Sequence, residues 1–228
     1  MAVTADVTSG RVKAKILIVD DHPVVRQGLI QLINQERDLT VCGEAGDSHG
    51  TLSAIETLKP DLAIVDISLP GVDGLELIKA IRARYSDLPV LVLSMYDESL
   101  YAGRALRAGA KGYVMKDKGA ENLVTAIRQV LDGQLYVSER IASKILRQFA
   151  AGGKEGIASP IDLLTDRELE VFRLIGGGLS TRRIAENLYL SIKTVESYRA
   201  HIKEKLQLET STEMVKHAVQ WVQTEGSG

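Results

Sequence analysis

Between residues 13 and 135 the chain repeats one pattern. A short apolar run meets a polar or turn residue, and apolar positions then recur three and four apart. The runs Lys15-Ile-Leu-Ile-Val, Leu39 to Ala45, Leu62 to Val65, Pro89-Val-Leu-Val-Leu and Gly112-Tyr-Val-Met predict five strands. Leu62 to Val65 is apolar without alternation, which suits a strand buried on both faces of a parallel sheet. Helices are predicted after each strand: Val24, Leu29, Leu32 and Ile33; Leu52, Ile55 and Leu58; Leu75, Leu77, Ile78 and Ile81; Asp97 to Gly109; and Leu123, Ile127, Val130 and Leu131. Pro23 suits a first helical position, Ser48 a helix cap, and Pro70, Gly71 and Gly74 stop the third strand. Five strands alternating with five helices imply an α/β domain with a parallel sheet and right-handed crossovers, and a doubly wound, five-stranded sheet of order 2-1-3-4-5 is expected.

The pattern then changes. Residues 136–160 read as a connection: a helix from Ser138 to Ala150 carrying Ile141, Ile145 and Leu146, then a break at Gly152-Gly-Lys-Glu-Gly156. Residues 161–225 hold no strand pattern and predict an all-α domain of four helices, near 165–176, 180–188, 191–207 and 211–223. Thr165 followed by Glu168 is a capping box, and Gly176-Gly-Gly178 ends the first helix. Its inward positions are Val171, Leu174 and Ile175, followed in the next helix by Ile184, Ala185 and Leu188. Two short helices joined by Tyr189-Leu190-Ser191, the second longer and carrying Val195, Tyr198, Ile202 and Leu206, fit a helix-turn-helix. Met214, Val215, Ala218, Val219, Trp221 and Val222 line the last helix.

Composition adds bounds. Charged residues are 25% and hydrophobic ones 45% of 228 residues, as in a globular protein, with no apolar run long enough to span a membrane and no signal-peptide core in residues 1–15. Cys42 is the only cysteine, so no internal disulfide forms and a reducing cytoplasm is expected; its apolar setting reads as core. The net charge of −2 excludes no partner. Residues 160–228 hold nine Lys or Arg against ten Asp or Glu, yet 191–206 hold four basic residues against two acidic. Positive charge is thus concentrated on the helix that would enter a groove.

The strand ends carry the chemistry. Asp20 and Asp21 follow the first strand, Asp66 the third, Ser94 ends the fourth, and Lys116 follows the fifth. In a 2-1-3-4-5 sheet these converge on one rim. Singly each has an ordinary role: Asp20 as a helix cap, Ser94 on a loop, Lys116 in solvent. Together, three carboxylates repel unless a hard cation such as Mg²⁺ joins them, and a carboxylate so placed can attack phosphorus. A hydroxyl and an ammonium beside it can hold phosphoryl oxygens.

Val-Asp-Asp-His at 19–22, Asp66 with Leu-Pro-Gly at 69–71 and Asp73-Gly74, Ser94 after Val-Leu-Val-Leu, and Gly-Tyr-Val-Met-Lys at 112–116 resemble the receiver domain of bacterial two-component response regulators, a flavodoxin-like fold. The resemblance implies Asp66 as phosphoacceptor. It implies Mg²⁺ held by Asp21, Asp66 and the Ser68 carbonyl, with Asp20 acting through water. Ser94 and Lys116 would contact the phosphoryl group, and Ser94 and Tyr113 would form the switch. Asp117 departs from the proline that commonly follows the lysine. Tyr96, two after Ser94, would flank the path of an attacking water.

Leu164-Thr165, Arg167-Glu168, Gly178-Leu-Ser, Ile184-Ala185, Leu188, Leu190-Ser191, Lys193-Thr-Val-Glu196, His201-Ile202 and Lys205-Leu206 resemble the LuxR-type DNA-binding domain. With the receiver, this resembles the NarL/FixJ class of transcriptional regulator. DNA contacts are expected from Arg182, Arg183, Lys193, Thr194, Glu196, Ser197, Arg199, Ala200 and Lys203. The resemblance implies a sensor histidine kinase, double-stranded promoter DNA and RNA polymerase as partners, no membrane, and a homodimer when phosphorylated. An unphosphorylated receiver could also cover the second helix, hinged at Gly152–Gly156. Two rival readings are a phosphorylation-independent regulator that uses its receiver only to dimerise, and a Mg²⁺-dependent phosphohydrolase. The latter leaves residues 162–222 unexplained, and no enzymatic turnover is expected.

Overall fold

The computed structural model describes residues 13–69, 74–118, 120–150 and 160–225. The expected Leu-Pro-Gly turn beyond Leu69, Asp73 and the Gly152–Gly156 hinge therefore lie outside the described residues. The described residues form two compact units, the first within 13–69 and 76–137 and the second within 138–225.

The first unit is a five-stranded parallel sheet in the order β2-β1-β3-β4-β5: β1 (Ala14–Val19), β2 (Leu39–Ala45), β3 (Leu62–Val65), β4 (Val90–Ser94) and β5 (Gly112–Met115). All residues of β3 and β4 are buried, as expected for runs without alternation. The helices are α1 (Pro23–Asn34), α2 (Ser48–Leu58), α3 (Gly74–Arg84), α4 (Glu98–Ala108) and α5 (Ala120–Leu131). Ile16, Ile18, Ile64, Leu91, Leu93 and Val114 pack on one face with Ile33 of α1 and Leu123, Ile127 and Val130 of α5. Their chain neighbours Leu17, Val19, Ala63, Val65, Val92 and Tyr113 alternate to the other face and are equally buried.

Two local expectations are corrected. Asp47, not Ser48, caps α2: its carboxylate accepts from Gly50 N–H at 2.7 Å, and Ser48 is already helical. Both residue types make good caps, and the turn of β2 into α2 decides which one stands outside the helix. Cys42 is half-buried on the edge strand rather than in the core. The β1–β2 register shifts there, with Ile16 facing Val41 and Leu17 facing Gly43, so Cys42 is the extra residue of a bulge. Its thiol donates to the Ile16 carbonyl.

The second unit contains α6 (Glu139–Ala150), α7 (Asp166–Gly176), α8 (Thr181–Asn187), α9 (Ile192–Lys205) and α10 (Ser211–Glu225). The predicted capping box is present at Thr165 and Glu168, and Ser180 and Ser191 cap α8 and α9. The core is Leu169, Val171, Phe172, Ile175, Ile184, Ala185, Leu188, Val195, Ile202, Met214 and Ala218. Phe172, rather than Leu174, fills the centre and lies 5.7 Å from Trp221 of α10. Gly176 lets α10 approach α7: a Cβ there would stand 2.5 Å from the Ala218 carbonyl oxygen.

Candidate phosphoacceptor site and DNA-binding face

The β1, β3 and β5 ends meet as the parallel topology requires. Asp66 N–H donates to Val19 O at 2.8 Å and Asp20 N–H to Ala45 O at 3.1 Å, so ladder pairing extends into the residues that carry the chemistry. Asp20 and Asp66 are each 2% exposed. Lys116, in the 3₁₀ turn Lys116–Lys118, donates to Asp20 Oδ2 and to Asp66 Oδ2, both at 2.6 Å. The remaining oxygens of these two carboxylates are also engaged. Asp66 Oδ1 accepts the Ser68 N–H at 3.0 Å, and Asp20 Oδ1 accepts the His22 N–H at 2.8 Å.

Burial pushes the Asp66 carboxyl above its ordinary range; Lys116 and the Ser68 N–H oppose this, and Asp20 adds to it. Burial works against the Lys116 charge, but Asp66 and Asp20 together hold its ammonium above the usual value. Asp21 Oδ1 is buried with no hydrogen-bond partner; His22 Nδ1 lies 2.8 Å away without hydrogen-bond geometry. Ligand atoms of Asp20, Asp21, His22 and Asp66 lie within 4.8 Å of one another. Three carboxylates against one ammonium leave two formal negative charges, and one carboxylate oxygen waits for a partner. An oxygen-rich donor set of that charge fits a divalent hard cation.

Ser94 closes β4, fully buried, and its Oγ accepts the Tyr96 N–H at 3.2 Å. Tyr113 is 1% exposed, and its hydroxyl donates to the Tyr96 carbonyl at 2.8 Å. Burial raises the phenol well above its ordinary value, so it stays a donor. The Tyr96 ring stacks on Tyr101 of α4, centroids 4.8 Å apart. Tyr101 was not singled out from sequence, because only the fold of β4 back to α4 brings the two rings together.

On the second unit, helical steps of about 100° place Lys193, Glu196, Ser197 and Ala200 on one side of α9, opposite the buried Val195 and Ile202. These four are exposed, as are Arg182 and Arg183 of α8, whereas Thr194, Arg199 and Lys203 are half-buried. Thr194 serves the helix start, its N–H donating to Ser191 Oγ at 3.0 Å. Ser197 Oγ donates to the Lys193 carbonyl at 3.1 Å, and Arg182 pairs with Glu186 at 3.2 Å. Lys205 counted toward the basic balance of this helix, but it turns away: Nζ donates to buried Glu168 at 2.6 Å.

Residues 16–128 match the family model of the response regulator receiver domain, and residues 162–218 that of bacterial regulatory proteins of the luxR family. The oxygen regulatory protein NreC of Staphylococcus aureus is 36% identical over 209 residues, covering 90% of this chain and 96% of that protein. This chain belongs to the LuxR-type response regulators. Among solved structures, this response regulator is similar to RcsB of Salmonella enterica serovar Typhimurium bound to a promoter with the phosphomimetic BeF₃⁻. That match has a TM-score of 0.61 at 28% identity, over 90% of this chain and 98% of that one. A LuxR-family two-component response regulator from Aurantimonas gives a TM-score of 0.56 at 35% identity, over 60% of this chain and 99% of its own. Among the described residues, no helix of the response regulator is long and apolar enough to cross a membrane.

Proposed function

We propose that a sensor histidine kinase phosphorylates this response regulator on Asp66, and that the phosphoryl group controls dimerisation and sequence-specific binding to promoter DNA. The observation that carries the reading is Lys116 bridging Asp20 and Asp66, with Ser94 at the adjacent strand end. In the transfer, an Asp66 carboxylate oxygen forms the new O–P bond while the donor's N–P bond breaks, and the freed imidazole keeps the N–P electron pair. Asp20, Asp21, Asp66 and the Ser68 carbonyl would hold Mg²⁺, which supplies positive charge against the phosphoryl oxygens. Lys116 would exchange a carboxylate for a phosphoryl oxygen, and the Ser94 hydroxyl would donate to another. Ser94 Oγ accepts the Tyr96 N–H and Tyr113 donates to the Tyr96 carbonyl, so a shift of Ser94 would reach Tyr113 through Tyr96.

The exposed side of α9 would enter the major groove through Lys193, Glu196, Ser197 and Ala200. Arg182, Arg183, Thr194, Arg199 and Lys203 would approach the backbone or the groove edge. We take 13–135 as receiver, 136–160 as connection and 161–225 as DNA-binding domain. A cytoplasmic location and contact with RNA polymerase fit this role. The test is fragment selection from genomic DNA with purified protein, with and without acetyl phosphate and Mg²⁺, on wild type and Asp66→Ala. Donor-dependent enrichment of paired half-sites, absent in Asp66→Ala, is expected. Equal enrichment in every arm would remove the phosphorylation switch, and none at all would remove the DNA reading.

A further inference from the structure

Asp20 and Asp66 are held by side-chain hydrogen bonds on both of their oxygens, but Asp21 is not. Its close polar neighbour is the exposed His22, Nδ1 2.8 Å from Asp21 Oδ1, so its aim depends largely on the backbone that carries it. The Asp20–Asp21 peptide is gripped by Arg26, whose Nη1 donates to the Asp20 carbonyl at 2.7 Å. The same guanidinium is anchored by Nε to Glu44 Oε2 of β2 at 2.8 Å, and the Arg26 side chain is only 17% exposed. The Arg26 N–H closes the first turn of α1 on the His22 carbonyl at 3.1 Å. On the near side of the loop, Asp20 N–H is fixed to Ala45 O. The loop that presents Asp21 is thus clamped between α1 and β2. The spacing could have signalled it: residue 26 stands one helical turn after His22, and helix side chains lean toward the N-terminus.

We infer that Arg26 is a positioning residue, which fixes the Asp20–Asp21 peptide so that Asp21 presents its carboxylate to the divalent cation. This rests on the proposed cation-assisted phosphorylation of Asp66. Glu44 already balances the guanidinium charge, so geometry rather than charge is its contribution.

The test is isothermal titration of full-length protein with Mg²⁺ at fixed ionic strength, alongside thermal melting. Arg26→Gln is expected to weaken Mg²⁺ binding about tenfold, as outer-shell changes do at metal sites. In acetyl phosphate reactions, the Mg²⁺ concentration giving half-maximal phosphorylation should rise by the same factor, while the rate at saturating Mg²⁺ stays near wild type. Arg26→Lys keeps one donor and the charge, and should fall between the two. Simple Coulomb reasoning predicts the opposite sign, because removing a cation near three carboxylates would tighten Mg²⁺ binding. Tighter binding, or unchanged affinity with a lowered melting temperature, overturns the inference. If Arg26→Gln does not fold, Arg26→Lys decides: its charge is that of wild type, and unchanged Mg²⁺ affinity overturns the clamp. A wild type that binds no Mg²⁺ would instead overturn the reading of the site itself.

Discussion

Lys205 separates structure from recognition on the same helix. It ends α9, and its ammonium sits 2.6 Å from Glu168 Oε2, a carboxylate whose side chain is 4% exposed. Glu168 also accepts the Thr165 N–H at 2.7 Å, and His201 Nδ1 lies 3.7 Å away. Lys205→Met removes a charge-assisted bond to a nearly buried acid. A fully buried pair broken this way loses about 3–5 kcal/mol. Lys205 is about one-third exposed and the Thr165 bond survives, so about 2 kcal/mol is expected. For a domain of this size each kcal/mol shifts Tm by about 4–8 °C, giving a fall of about 8–16 °C. Trp221 is the only tryptophan and packs on Phe172, so its fluorescence reports this unit alone. Burial pushes Glu168 up, but Lys205 and Thr165 outweigh it and hold the acid below its usual 4.5. A depressed acid stabilises the fold above its unfolded value and loses that contribution as pH falls through its folded one. The melting temperatures of wild type and Lys205→Met should therefore converge in acid. DNA affinity measured well below both transitions should keep the wild-type salt slope in Lys205→Met, whereas Arg183→Ala, at an exposed residue expected on the phosphate backbone, should flatten it by about 0.9. An unchanged melt with a flattened slope for Lys205→Met would refute the assignment.

Asp66→Asn should abolish acetyl phosphate labelling. It should also raise the receiver melting temperature at pH 7 in chelator, read by circular dichroism, because an acid raised above its usual 3.8 opposes folding once ionised. That gain should shrink as pH approaches 4, and a destabilised Asp66→Asn at neutral pH would contradict the electrostatics. Gly176→Val sets a side chain 2.5 Å from the Ala218 carbonyl oxygen and 2.6 Å from Val222 Cγ2. It should lower the Trp221 transition by at least about 2 kcal/mol, and an unchanged transition would mean that α7 and α10 do not pack this closely.

The strand ends were legible because each apolar run stops on a polar residue that cannot continue into the core. Gly112 to Met115 and Leu62 to Val65 are strands over those same residues. The Thr165–Glu168 box was legible because both partners lie within one turn. Near neighbours were misread where two residue types do the same job, as with Asp47 and Ser48, or where an edge strand takes an extra residue, as at Cys42. Charge counting along 191–206 included Lys205 in the basic balance of the groove helix, though not among the expected DNA contacts, because the acid that claims it lies 37 positions away. The sequence by itself determined the alternation of elements and the polar residues that end the strands, since apolar periodicity is a local property; which strands pair, and so the order β2-β1-β3-β4-β5, is decided by tertiary packing. Only the tertiary structure decided that Lys116 bridges Asp20 and Asp66 and that Tyr113 reaches the Tyr96 carbonyl. It likewise decided that Arg26 clamps the loop behind Asp21. Hydrogen bonds of that kind act over about 3 Å between residues far apart in the chain, and only packing sets which partners come within reach.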